Sequence, residues 1–191
     1  MASPLVFSKR EMKNRVAKAQ ALMRRQKLDA MFVTGEEDFQ YFTGVSGTIC
    51  LHYSTTRPAA VVVPSEGDPI AIVGTASENP VKSALKDVRT YNSTTGVPIE
   101  LYTKALKDAG LTNKRVGLEE GLETRIGQPI GELFALFRAL PGVSFIDTSA
   151  LIWELRMTKS TEELDLMKQA AVATGKARQK TFDRCREGDT Q

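Results

Sequence analysis

The sequence predicts an α/β fold in which helices cover both faces of a mixed β-sheet. Two features predict it. From residue 76 onward, helical and strand-like periods alternate, with each strand standing alone between helices, a pattern that buries both faces of a sheet. Before that point, the apolar runs 59–63 and 70–73 flank the turn Pro64-Ser65-Glu66-Gly67-Asp68-Pro69, which makes them a hairpin. An antiparallel pair inside an otherwise parallel pattern gives a mixed sheet and argues against a dinucleotide-binding fold. With 41% apolar residues in 191, the chain can fill one core and carry a short extension.

In chain order, Ser8-Lys9-Arg10-Glu11 reads as a capping box that starts a helix over 8–27, with Met12, Val16, Ala19 and Met23 on its apolar stripe. Lys9, Arg10, Lys13, Arg15, Lys18, Arg24, Arg25 and Lys27 share this helix. We read them as a solvated outer face rather than an anion site. A buried strand over 28–34 follows, then a short helix over 36–42 stopped at Thr43-Gly44. Strands are expected over 47–53, 59–63 and 70–73. Beyond them come a helix over 76–86, a strand over 88–91, a helix over 98–109, a strand over 115–118, a helix over 128–139 and a strand over 143–146.

The last fifth differs in character. A helix over 148–157 breaks at Thr158-Lys159-Ser160, and Ser160 with Glu163 forms a second capping box. The helix it opens carries Leu164, Met167, Ala170, Ala171 and Ala177, a face that needs a surface to pack on. The expected organisation is therefore one domain over 1–155, then a linker and the first helix of a truncated second domain over 156–191.

Composition excludes several functions. A net charge of +3 is too small to argue for nucleic acid or membrane as a partner. Cys50 and Cys185 fit no metal or redox spacing and read as free thiols of a reducing compartment. Residues 1–7 lack the apolar core of a signal peptide, and no stretch approaches the roughly 18 apolar residues of a membrane span. The expected location is the cytoplasm, and the sequon Asn92-Ser93-Thr94 reads as a chance match.

Chemistry is sparse too. His52 is the one histidine. The acidic runs Glu36-Glu37-Asp38, Glu119-Glu120 and Glu162-Glu163 put neighbouring side chains in different directions, so they read as solvated acids or helix-start charges. No metal motif, phosphate loop or nucleophile elbow occurs. The expectation is no catalytic residue, no metal site and no cofactor in this chain.

Several segments resemble the amino-terminal domain of the creatinase, prolidase and aminopeptidase P family. Arg15-Val16, Met23 and Leu28-Asp29-Ala30-Met31 resemble its opening helix and strand. Glu37-Asp38-Phe39-Gln40-Tyr41-Phe42-Thr43-Gly44 is similar to the family's Asn-Ile-Tyr-Leu-Thr-Gly stretch, with Asp38 or Phe39 where the Asn usually stands. Val116-Gly117-Leu118-Glu119 resembles a later strand. The stretch Leu155-Arg156-Met157-Thr158-Lys159-Ser160-Thr161-Glu162-Glu163-Leu164 resembles the passage that joins the family's two domains. Glu187-Gly188-Asp189-Thr190-Gln191 resembles the turn after the first catalytic-domain helix.

The resemblance implies a three-layer α/β/α sandwich with a ribonuclease H-like motif. It also implies a following pita-bread catalytic domain whose two Asp, one His and two Glu hold two divalent ions such as manganese, unless the protein is creatinase-like and works without metal. All five positions would fall beyond Gln191. The implied protein is a hydrolase of Xaa-Pro peptides or of a small amide-containing acid. Its amino-terminal domain would pair with its own catalytic domain, support a homodimer and reach towards a neighbouring active site. On that reading His52, Tyr53 and Arg57 are candidate substrate-binding residues, acting in trans. They offer a base, an aromatic face and a guanidinium suited to a carboxylate. Two alternatives stay open: a domain of a catalytically dead relative that binds peptide or protein, and a free-standing small-molecule-binding domain.

Overall fold

The computed structural model describes residues 7–45, 58–93, 96, 98–122, 124–186 and 188–189. They form two compact units, Met1–Leu155 and Arg156–Gln191, each described by itself.

Strands β1 (Ala30–Val33), β2 (Ala60–Pro64), β3 (Ile70–Gly74), β4 (Asp87–Tyr91), β5 (Arg115–Leu118) and β6 (Ser144–Asp147) build one sheet in the order β4-β3-β2-β1-β5-β6. The β1–β2 and β2–β3 pairs are antiparallel; β3–β4, β1–β5 and β5–β6 are parallel. The sheet is therefore mixed, and the 64–69 turn is the hairpin its residues predicted.

The period of two sorts the central strands between two cores. Ala30, Phe32, Ala60, Val62, Ile70 and Ile72 face one side, where helices α4 (Ile99–Asp108) and α5 (Ile130–Ala139) add Tyr102, Leu106, Leu133 and Leu136. Met31, Val33, Val61, Val63, Ala71 and Val73 face the other. There α1 (Lys9–Gln26), α2 (Glu36–Thr43) and α6 (Ser149–Met157) bring in Met23, Phe39, Phe42 and Leu151. Strands apolar on both faces need cover on both faces, so the architecture is three layers, α/β/α.

The helix boundaries follow local chemistry. Ser8 Oγ accepts the Glu11 amide at 3.1 Å, one half of the expected box. The Glu11 carboxylate turns instead to Arg15 Nε at 2.9 Å. Arg15 is buried, which corrects its reading as part of a solvated face: Nη1 donates to the Tyr41 carbonyl at 3.1 Å and the guanidinium stacks on the Tyr41 ring. A cation at the carbonyl end of α2 is favourably placed in that helix's field. Gly44, at φ 67°, ends α2 in the left-handed conformation that a side chain would resist.

The helix expected over 76–86 is only a 3-10 turn (Thr75–Ser77) and α3 (Glu78–Lys82). The Ala84 and Leu85 amides both close on the Val81 carbonyl, and the chain must then enter β4 at Asp87, parallel to β3. The strand expected over 47–53 lies outside the described residues.

In the second unit, α7 (Thr161–Arg184) opens on a complete capping box. Ser160 Oγ accepts from the Glu163 amide at 3.2 Å, and the Ser160 amide donates to Glu163 Oε2 at 2.8 Å. Leu164, Met167, Val172 and Phe182 are exposed along it. Among the described residues, no helix is long and apolar enough to cross a membrane.

Candidate functional site

The carboxyl ends of β1, β5 and β6 gather several of the domain's buried polar side chains. Glu119 follows directly on β5 and is buried, with 2% exposure. Its Oε2 accepts from the Thr34 amide at 2.6 Å, the Gly35 amide at 2.8 Å and the Thr34 hydroxyl at 3.2 Å. Thr34 and Gly35 are the two residues between β1 and α2, so Glu119 ties the end of β5 to the start of that helix.

Burial, and after it the neighbouring Asp38 carboxylate in the first turn of α2, pushes the Glu119 carboxyl up to about 8, against the lowering effect of the two amides. Both causes favour the protonated form of Glu119. This corrects the sequence reading of Glu119 and Asp38 as solvated acids, since both are buried; Asp38 does occupy a helix start.

Two glycines make the close approach possible. A Cβ on Gly35 would stand 2.7 Å from Glu119 Oε1. One on Gly127 would stand 2.2 Å from the Thr34 carbonyl oxygen, where the Gly127 amide also donates to Thr34 Oγ1 at 3.0 Å. The loop between β5 and α5 thereby folds back over the end of β1.

A second knot joins the same loop to β6. Partial burial would raise the Asp147 carboxyl. The Ser149 hydroxyl and amide, at 2.5 and 3.0 Å, together with the Glu120 and Gly121 amides, hold it below the usual carboxylate range. Ser149 Oγ in turn accepts from the Gly121 amide at 2.7 Å. These groups are occupied with one another. They form a clamp on loop geometry.

His52, Tyr53 and Arg57 lie outside the described residues, but the flanks of their segment do not. On one side, α2 ends at Gly44, and the Val45 amide donates to Thr43 Oγ1 at 3.3 Å. On the other, the Pro58 carbonyl accepts the Tyr91 hydroxyl at 2.5 Å, and the Ala59 carbonyl accepts Gln128 Nε2 at 3.4 Å. Because Val33 pairs with Val61 in the antiparallel β1–β2 ladder, β2 begins at the end of the sheet where β1 finishes. Pro58 and Ala59 are thus held at the same end of the sheet as the Glu119 clamp. Among the described residues, no three His, Cys, Asp or Glu side chains gather into a group able to hold a metal ion.

The family model described as Creatinase/Prolidase N-terminal domain matches residues 15–158. The chain belongs to this family. The match runs from the middle of α1 to just past α6, so it takes in every strand of the sheet and the clamp at its carboxyl edge.

No curated protein matches the chain. Solved structures share the fold of this creatinase/prolidase domain. A recombinant prolidase from Thermococcus sibiricus superposes with a TM-score of 0.76 at 21% identity, over 94% of this chain and 46% of its own. An Xaa-Pro dipeptidase from Bacillus anthracis gives 0.72 at 18%, over 94% and 45%. The N-terminal domain of the cytoplasmic peptidase PepQ from Mycobacterium tuberculosis gives 0.55 at 20%, over 75% of this chain and 98% of its own. The chain thus spans a little under half the length of the first two proteins.

Proposed function

We propose that this creatinase/prolidase domain is the non-catalytic amino-terminal part of a cytoplasmic hydrolase that cleaves Xaa-Pro peptides or a small amide-containing acid. On this reading residues 1–155 are the domain itself, and 156–191 are the linker and first helix of the catalytic domain. The domain's work is to support a homodimer and to present the 52–57 segment to an active site. Arg57 would meet the substrate carboxylate as a planar fork of donors, with Tyr53 and His52 beside it. Two divalent ions such as manganese would be held by the catalytic domain.

One observation supports this reading above the others. The segment is flanked on both sides by backbone held through buried or half-buried donors and acceptors, at the sheet edge that the Glu119 clamp stiffens. Flanks held on a packed scaffold can place a guanidinium between them repeatably, which loose flanks cannot.

In the full-length hydrolase, Arg57→Ala should raise KM for an Xaa-Pro substrate about tenfold, the equivalent of about 1.4 kcal/mol, with a smaller change in kcat. Steady-state kinetics of variant and parent measure this directly. Identical constants would remove Arg57 from substrate binding.

A further inference from the structure

A groove of about 840 Å³ runs between α1 and the chain that links α3 to β4, on the first unit and away from the Glu119 clamp. Its floor is apolar, made by Met12, Val16, Phe42 and Leu85. Its rim is basic, carrying Lys9, Lys13, Lys82 and Lys86, with Asp68 the single acid among the described lining residues. Lys86 pairs with Asp68 at 3.0 Å and Lys82 with Glu78 at 2.5 Å. Both lysines are more than half exposed, and exposed pairs of this kind hold a lysine with at most about 1 kcal/mol, so an incoming carboxylate can redirect them.

We propose that this groove docks an acidic amphipathic segment of a partner protein, with its apolar side chains on the floor and its carboxylates on the lysine rim. Charge complementarity selects this occupant. The two stretches of the chain outside the described residues that flank α1 and α2, residues 1–6 and 46–57, contain no Asp or Glu and cannot neutralise the rim. A phosphate backbone would gain nothing from the apolar floor, and among the described lining residues there is no arginine to grip phosphate in a bidentate way. A helix carrying Leu at one-turn spacing, flanked by Glu, satisfies both halves of the surface.

The test uses the whole chain, ¹⁵N-labelled, and a helical Glu/Leu peptide of about 14 residues, roughly four turns, with a Lys/Leu peptide of the same pattern as its control. The expected result is amide shifts concentrated at Met12, Val16, Phe42 and Leu85. Affinity should fall about tenfold in the Lys9→Glu/Lys13→Glu double variant and fall again with added salt. Both lysines are exposed, so the variant's own amide dispersion reports whether it remains folded, and Lys86→Glu provides an independent substitution on the opposite rim. Shifts confined to other surfaces, equal binding of the Lys/Leu peptide, or affinity indifferent to both charge reversals would each overturn the proposal. So would self-association of the chain through this groove, in which a second copy presents Glu162, Glu163 and Asp165 beside Leu164.

Discussion

Glu119→Ala should destabilise the domain by roughly 2–5 kcal/mol, because the Thr34 and Gly35 amides would lose their acceptor while remaining buried. Glu119→Gln should do the opposite at mildly alkaline pH. Its side-chain carbonyl keeps both amide bonds, and its amide group can face Asp38 without a like charge.

The sign of the pH dependence follows from the raised carboxyl. Between the ordinary glutamate value of 4.5 and about 8, the folded chain keeps a proton that the unfolded chain has released. Stability contributed by this group is therefore complete below 4.5 and is lost as pH rises towards 8, at up to about 1.4 kcal/mol per pH unit. Asp29 and Asp147 are shifted downward, so their contribution disappears only in acid, below the ordinary 3.8, and does not offset the trend between pH 5 and 8. Urea unfolding of parent and Glu119→Gln at steps from pH 5 to 8.5 measures the difference, in which titrations of groups remote from Glu119 and Asp38 cancel. The parent should weaken with pH relative to the variant, and the variant should be the more stable above pH 7.5. Parallel profiles would mean that Glu119 is ionised in the fold.

Gly127→Ala is the second large effect. The added Cβ would sit 2.2 Å from a carbonyl oxygen of Thr34 and 3.0 Å from its carbon, both main-chain atoms of the loop between β1 and α2. Neither can rotate away as a flexible side chain would, so the 124–129 loop must lift and surrender the Gly127-to-Thr34 hydrogen bond. A loss of about 2–4 kcal/mol is expected. Gly131, early in α5, is the matched control: nothing stands within 4 Å of its added Cβ. Alanine there should be neutral or stabilising by up to about 1 kcal/mol through the unfolded chain's lost freedom. Denaturation midpoints of the two variants test the contrast, and a Gly127→Ala protein as stable as its parent would show that the loop approaches β1 less closely.

Most of the architecture was legible because its causes are local. The 64–69 turn between two apolar runs gave the hairpin, alternation along β1 to β3 gave two buried faces, and Ser160 with Glu163 gave the start of α7. The helix expected over 76–86 was too long because its apolar period continues through Leu85, whereas parallel pairing of β4 with β3 from Asp87 onward takes over the chain. Arg15 could be matched to Glu11 by spacing, but its burial comes from α2, 26 residues away at Tyr41.

The clamp was missed for the same kind of reason. Glu119 meets Thr34 and Gly35 across more than 80 residues, and only the adjacency of β1 and β5 brings them together. A faint signal existed: an acid directly after a Val-Gly-Leu strand, and a Thr-Gly step directly after another. Adjacent acids such as Glu119 and Glu120 do point apart, as expected, but one of the directions is inward.

On the function proposed above, the domain would assist hydrolysis without performing it. Purified residues 1–191 should carry far less than one manganese per chain by elemental analysis after incubation with Mn²⁺ and desalting, and should cleave Xaa-Pro dipeptides no faster than buffer. Tightly held metal in stoichiometric amount, together with turnover that a chelator abolishes, would contradict it.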